Sequence, residues 1–210
     1  CAQAYGAYDD SVKSKLEKKI GSTTDISCFS LYPGKNLGAY GDAGIITTNN
    51  KKFYNKIRKL RNLGSEKKFI HDLVGMNSRL DSIQAIILNE KLKRLNLLNS
   101  KRKIIAKRYN DEIQNDKIRK INYSDSCVYH QYVILAKDRN KLIKILSKNN
   151  IQYGFHYPYS INQLNVFKKY FNKNKYNNAE ILAKEGLSLP IDPNLTYKQI
   201  SFIIKTINLM

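Results

Sequence analysis

Lys35 is the residue of this chain best placed to do chemistry. It lies in Ser30-Leu31-Tyr32-Pro33-Gly34-Lys35-Asn36-Leu37-Gly38-Ala39-Tyr40-Gly41-Asp42-Ala43-Gly44, directly after an apolar run of Ile26, Cys28, Phe29 and Leu31. Lysine belongs on surfaces, because burying an ammonium without a partner is costly. At a strand end, on a backbone kept bare by glycine, it suits an amine that is desolvated and made nucleophilic. Such an amine forms an imine with an aldehyde, and pyridoxal phosphate is the commonest aldehyde cofactor of that kind. Spacing alone leaves a second reading open, a solvated lysine in a glycine-rich turn.

The elements that must position this lysine are legible on either side of it. Asp25 to Leu31 and Gly44 to Thr48 read as strands, and Lys51 to Leu63 as a strongly basic helix. Ile83, Ile86, Ile87, Leu92, Leu95 and Leu98 recur at three- and four-residue intervals, which predicts one long helix from about Leu80 to Ile113. Beyond it come a strand over Val128 to Leu135, a helix over Arg139 to Lys148 and a loop rich in Tyr and Asn. A last helix opens at Thr196, with Gln199 three residues on, the pattern of a capping box. The alternation is that of an α/β protein. It divides the chain into residues 1–80, a connecting helix at 81–115 and a second α/β region at 116–210.

Composition narrows the function classes. The 210 residues carry a formal net charge of +20, which invites a nucleic-acid reading. The basic residues are mostly lysine, spread along every predicted helix among many asparagines, and no basic stretch is interleaved with stacking aromatics. A solvated cationic surface that draws anionic small molecules is the better expectation, with no nucleic acid bound. Cys1, Cys28 and Cys127 are odd in number and far apart, which argues for free thiols in a reducing, cytoplasmic setting. His71, His130 and His156 do not stand at ligand spacing, so no metal site is expected. No apolar run is long enough to span a bilayer, and a soluble protein is expected.

The wording of the lysine segment, with Gly41-Asp42-Ala43-Gly44, resembles the cofactor-lysine segment of the DegT/DnrJ/EryC1/StrS sugar aminotransferases. Further stretches follow in that family's order: Cys1-Ala2-Gln3-Ala4-Tyr5-Gly6, Arg58-Lys59-Leu60-Arg61-Asn62-Leu63-Gly64 and Gly75-Met76-Asn77-Ser78-Arg79-Leu80-Asp81. Tyr129-His130-Gln131-Tyr132-Val133-Ile134, Gly154-Phe155-His156-Tyr157-Pro158 and Leu187-Ser188-Leu189-Pro190 complete the series. The resemblance implies an aspartate-aminotransferase-like architecture (PLP fold type I). This chain would supply the later half of the large domain and the small C-terminal domain. Family members also carry a Gly-Thr-Ser type phosphate loop and an aspartate two residues before the Ala-Gln pair. Cys1 is the residue after that aspartate, so the expectation is the C-terminal portion of an aminotransferase, as a partial sequence or a split gene.

Roles follow from the resemblance, position by position. Lys35 would bond to pyridoxal 5'-phosphate and, once displaced by the amino donor, carry a proton between the substrate carbon and the cofactor C4′. Both tasks call for a lowered pKa. Ser30 would place its hydroxyl on the cofactor phosphate, although a strand-end serine bonded to backbone reads equally well. Gln3 would pack on the pyridine ring, and Asn77 would reach the phosphate bound in a neighbouring subunit of a homodimer. A helix N-cap region is the alternative for Asn77. Tyr32, His156 and Tyr157 resemble sugar-contacting positions, and Arg79 with Asp81 is expected to form an ion pair at a helix start.

The wording is most similar to the branch that aminates C3 of a dTDP-3-keto-6-deoxyhexose, with glutamate as donor and bacterial surface polysaccharide as destination. The C4-aminating branch is the alternative, and the wording departs from it, since that branch prefers threonine before the lysine and a second glycine where Ala43 stands. A dehydratase is disfavoured by Lys35. A catalytically incompetent interaction fragment stays open, as does a nucleic-acid-binding module.

Overall fold

The computed structural model describes residues 1–9, 19–171 and 176–210. The chain forms two compact units, Cys1–Ser100 with Asp125–His130, and Lys101–Ser124 with Gln131–Met210.

In the first unit, β1 (Ser27–Ser30) and β2 (Gly44–Thr47) pair antiparallel, with Phe29 opposite Ile45 and Ser30 opposite Gly44. The strand expected over Asp25 to Leu31 is shorter, with Cys28 and Phe29 of the apolar run inside β1 and Leu31 just past it, where the glycine-rich segment with Lys35 starts back to β2. α1 (Lys51–Leu60) follows, capped by Asn50, whose side chain accepts from the Lys52 and Phe53 amides. α1 ends at Leu60, short of the expected Leu63, because the chain must turn there. Gly64 takes φ +75°, and a Cβ on it would meet the Leu73 carbonyl oxygen at 1.6 Å. That turn leads into a short hairpin of β3 (Ser65–Lys67) and β4 (Ile70–His71). The returning chain then lies alongside the α1 exit. Leu63 N donates to Met76 O, Met76 N to Leu60 O and Ser78 N to Arg61 O.

The long helix expected from Leu80 to Ile113 is two helices, α2 (Ser82–Leu92) and α3 (Leu95–Glu112). No glycine or proline marks the break. The backbone tightens into a three-residue bond from Arg94 N to Lys91 O. Leu88 and Leu95, on either side, both pack into one cluster with Leu31, Leu37 and Ala39 of the lysine loop. The expected apolar stripe is buried only in part: Leu95 is buried, but Ile83, Ile86 and Leu92 are exposed, and the second buried leucine, Leu88, lies outside the stripe. Packing on the lysine loop overrides the stripe.

The second unit is built on a three-stranded antiparallel sheet, β5 (Ile118–Lys120), β6 (Tyr132–Ala136) and β7 (Gly186–Leu189), with β6 central. α4 (Arg139–Lys148) and α6 (Tyr197–Asn208) supply buried Leu142, Leu146, Ile203, Ile204 and Ile207. α5 (Asn177–Glu185) leads directly into β7. The capping box at Thr196 and Gln199 opens α6 as the pattern indicated. The strand expected from Val128 begins only at Tyr132, because Asp125–His130 belongs to the first unit, where Val128 O accepts from Asn36 Nδ2 at 2.9 Å. Among the described residues no helix is long and apolar enough to cross a membrane.

Candidate active site

The loop between β1 and β2 is fixed from both sides. Leu31 N donates to Ala43 O and Ala39 N to Leu31 O, both at 2.8 Å, which closes its base. Buried Leu31, Leu37 and Ala39 anchor it below. Burial of each leucine side chain contributes about 1.5–3 kcal/mol. Gly38 is required there, since a Cβ would stand 2.3 Å from the Pro33 carbonyl oxygen. From outside, Lys91 Nζ donates to Gly38 O at 2.7 Å and Gln84 Oε1 accepts from Tyr40 N at 2.8 Å. Asn36 Nδ2 donates to Asn99 Oδ1 and Val128 O, and His130 Nδ1 shares a hydrogen bond with Asn36 Oδ1. Lys35 therefore sits beside a rigidly held asparagine, its own amide bonded to Tyr32 O at 2.8 Å in a tight turn.

Lys35 lines a cavity of about 950 Å³ together with Ser30, Tyr32 and Asn77. Three residues of the lysine segment thus share one concave surface with Asn77, which lies far along the chain. Ser30 Oγ accepts from the Tyr32 amide at 3.3 Å, so the backbone-bonded reading holds, and the hydroxyl proton is still there to donate. Asn77 is held by pairing with Asn62 and by Arg79, whose Nε donates to Asn77 Oδ1 at 2.8 Å. That bond turns the Asn77 amide so that Nδ2, its donor, is left for a ligand. Arg79 is spent on Asn77 and does not form the expected ion pair with Asp81, which is instead the N-cap residue of α2.

Gln3 does not line this cavity. It is half-buried in the turn closed by Ala4 N to Cys1 O, two residues before Tyr5, whose ring meets Phe29 edge-on at 5.1 Å. His156 and Tyr157 belong to the second unit. His156 Nδ1 shares a 2.8 Å hydrogen bond with Ser188 Oγ, and the two rings meet edge-on at 5.6 Å. Gly154 and Ser188 exchange backbone hydrogen bonds, so β7 fixes the start of this segment. Tyr157 is exposed.

The cavity also contains residues the sequence reading gave no role: Asp42, Thr48, Tyr54, Arg58 and Arg61. The two arginines belong to the Arg58-to-Gly64 stretch. Their three-residue spacing at the end of a basic helix was the available signal, since it puts both on one side.

The fold, with its lysine loop between β1 and β2, is that of sugar aminotransferases of PLP fold type I. A crystal structure of S. venezuelae DesV in complex with a ketimine intermediate superposes with a TM-score of 0.91 at 30% identity, covering 99% of this chain and 56% of that one. The structure of NtdA from Bacillus subtilis with bound cofactor PMP gives 0.78 at 26% identity, covering 89% of this chain and 47% of that one. The family model of the DegT/DnrJ/EryC1/StrS aminotransferases matches residues 1–208, and the chain belongs to that family. A relative from Aneurinibacillus thermoaerophilus, the dTDP-3-amino-3,6-dideoxy-alpha-D-galactopyranose transaminase, is 36% identical over 99% of this chain and 56% of its own. The chain spans about half the length of the curated relatives it matches.

The residues present fit a phosphorylated pyridine aldehyde. Lys35 brings the amine for the aldehyde, and the Ser30 hydroxyl and Asn77 Nδ2 bring donors for a phosphate. The cavity's other cations, Arg58, Arg61 and Arg79, suit an anionic ligand.

Proposed function

We propose that the protein transfers an amino group to a nucleotide-linked keto-6-deoxy sugar, using pyridoxal 5'-phosphate held at Lys35. The observation that carries this reading is the Lys35 loop itself, held by Lys91, Gln84 and Asn99 and opening on the cavity that Ser30 and Asn77 share. The cofactor supplies an electron sink for the carbon that loses its proton. Lys35 would hold the cofactor through its aldehyde and would carry that proton at Nζ. Ser30 would hold the phosphate, so that the ring cannot swing away from Lys35. Tyr32, His156 and Tyr157 position the sugar, whereas Gln3, which lies outside the Lys35 cavity, is given no part in holding the ring.

The sugar is a dTDP-3-keto-6-deoxyhexose aminated at C3, a reading supported by the 36% identity to the Aneurinibacillus transaminase. Glutamate is the donor. The working form is a cytoplasmic homodimer with shared sites, in which Asn77 serves the phosphate bound by the partner copy. Borohydride reduction after loading with pyridoxal 5'-phosphate, followed by peptide mass analysis, tests the centre of the proposal. The label is expected on Lys35, and a label confined to other lysines would overturn it. Turnover of the 3-keto sugar but not the 4-keto isomer tests the substrate.

A further inference from the structure

Asn36 follows Lys35 in the chain, and both polar atoms of its side chain are engaged. Nδ2 donates to Asn99 Oδ1 and to Val128 O, each at 2.9 Å, and Oδ1 faces His130 Nδ1 at 3.2 Å. Asn99 is buried and donates through its own Nδ2 to Tyr5 O at 3.3 Å. Gly6 leaves room for that amide, since a Cβ there would stand 2.9 Å from Asn99 Nδ2. All of these residues belong to the first unit, in which His130 closes the Asp125–His130 segment.

The two ends of this chain of bonds fix its direction. Tyr5 O and Val128 O are backbone carbonyls and can only accept. Asn99 therefore turns Nδ2 to Tyr5, which leaves its Oδ1 for Asn36. Asn36 Nδ2 has both hydrogens placed, so Asn36 Oδ1 is the acceptor and His130 Nδ1 carries the hydrogen between them. A neutral or a cationic imidazole can supply it at that nitrogen. The backbone before the imidazole is held as well. Buried Tyr129 takes φ +44°, a left-handed conformation that a non-glycine residue keeps only where its surroundings hold it.

Three bonds on the Asn36 side chain restrict its backbone, and with it the peptide that joins Asn36 to Lys35. On the other side, the Lys35 amide is bonded to Tyr32 O. The foot of the lysine stem is thus clamped at both of its peptides, and one of the two clamps closes on His130. We infer that His130 is a positioning residue for Lys35, acting through the Asn36 amide, so that the amine meets the cofactor aldehyde at the right angle. The role of the amine rests on the function proposed above. The clamp itself rests on the hydrogen bonds alone.

The full chain is mixed with increasing pyridoxal 5'-phosphate and quenched with borohydride at successive times, and the label on Lys35 is measured by peptide mass. His130→Phe keeps an aromatic ring without the donor. It should lower the limiting labelling rate by about tenfold or more, because small misplacements of a reacting group are costly. The half-saturating cofactor concentration should move by less than about twofold, since capture of the phosphate does not involve His130. His130→Asn, whose Nδ2 can stand where Nδ1 stood, should restore most of the rate. In an Asn36→Ala background His130→Phe should change the rate by no more than about twofold, the link being already cut. Circular dichroism confirms that the variants are folded. An unchanged rate in His130→Phe, no recovery in His130→Asn, or the same loss again in the Asn36→Ala background would overturn the role. Hydrogen exchange at the Lys35 amide reads the clamp without cofactor, and His130→Phe should speed it by about tenfold, with recovery in His130→Asn. Failure of wild-type Lys35 to label would sink the transamination reading. The exchange rates would then decide the clamp by themselves, and equal exchange in wild type and His130→Phe would overturn it too.

Discussion

Lys91 Nζ donates a 2.7 Å hydrogen bond to the buried carbonyl of Gly38, joining α2 to the loop that carries Lys35. The same ammonium lies 4.4 Å from the centre of the Tyr40 ring. One cation thus satisfies a buried acceptor and covers an exposed aromatic, at the point where α2 is about to break. Replacing it with methionine keeps much of the stem but leaves the Gly38 oxygen unpaired. Lys91→Met should cost about 1–3 kcal/mol in denaturant unfolding. Its labelling at Lys35 should slow more than its stability loss alone accounts for, because the loop loses its tether.

Gly38→Ala probes the same loop from within. The added Cβ would stand 2.3 Å from the Pro33 carbonyl oxygen, which is backbone and cannot rotate aside. The loop must open between Pro33 and Gly38, so the cavity loses its shape while the second unit keeps its sheet. Borohydride labelling of Lys35 should fall by about tenfold or more, whereas a Gly34→Ala control, which meets only the Tyr32 ring edge at 3.9 Å, should label nearly as wild type.

Asn77 offers a test of which atom matters. Arg79 Nε fixes its Oδ1, so Nδ2 is the donor presented to a ligand. Asn77→Ala should weaken retention of pyridoxal 5'-phosphate by about 1–3 kcal/mol. Asn77→Asp should weaken it further, since a carboxylate repels the phosphate. Release during dialysis, followed by cofactor absorbance, measures both. Equal retention in all three proteins would remove Asn77 from the cofactor site.

Tyr109 sets an alkaline limit on the second unit. Its ring is fully buried against Tyr132 at 5.0 Å and its hydroxyl donates to Pro190 O at 2.7 Å. Burial, first of all, pushes its phenol well above the ordinary tyrosine value, with the nearby Arg108 acting weakly in the opposite sense. The folded state therefore holds the proton that the unfolded chain releases near pH 10. This contribution to stability is complete below that pH and is lost as the pH climbs towards the folded value. Tyr109→Phe should lower stability at neutral pH by about 1 kcal/mol. Above pH 10 the gap between variant and wild type should narrow in chemical denaturation curves.

The lysine loop and the units around it were legible from the residues themselves. Apolar Cys28 and Phe29 had to lie in a strand, glycine had to follow where backbone meets backbone, and Thr196 with Gln199 had to open a helix, because each depends on neighbours in the chain. The break at Lys93 and Arg94 was not legible, since no residue there disfavours helix. It arises because Leu88 and Leu95 are drawn to the same buried Leu31 and Leu37. The strand expected from Val128 failed for a similar reason, with Asn36 claiming the Val128 carbonyl. For the candidate site, sequence supplied Lys35, Ser30, Tyr32 and Asn77 by type and order. Only the tertiary structure put them on one cavity with Arg58 and Arg61, and only it spent Arg79 on Asn77 instead of Asp81. Local order fixes which side chains are available. Which of them face one another is decided by packing between residues distant in the chain, and that is written in no single segment.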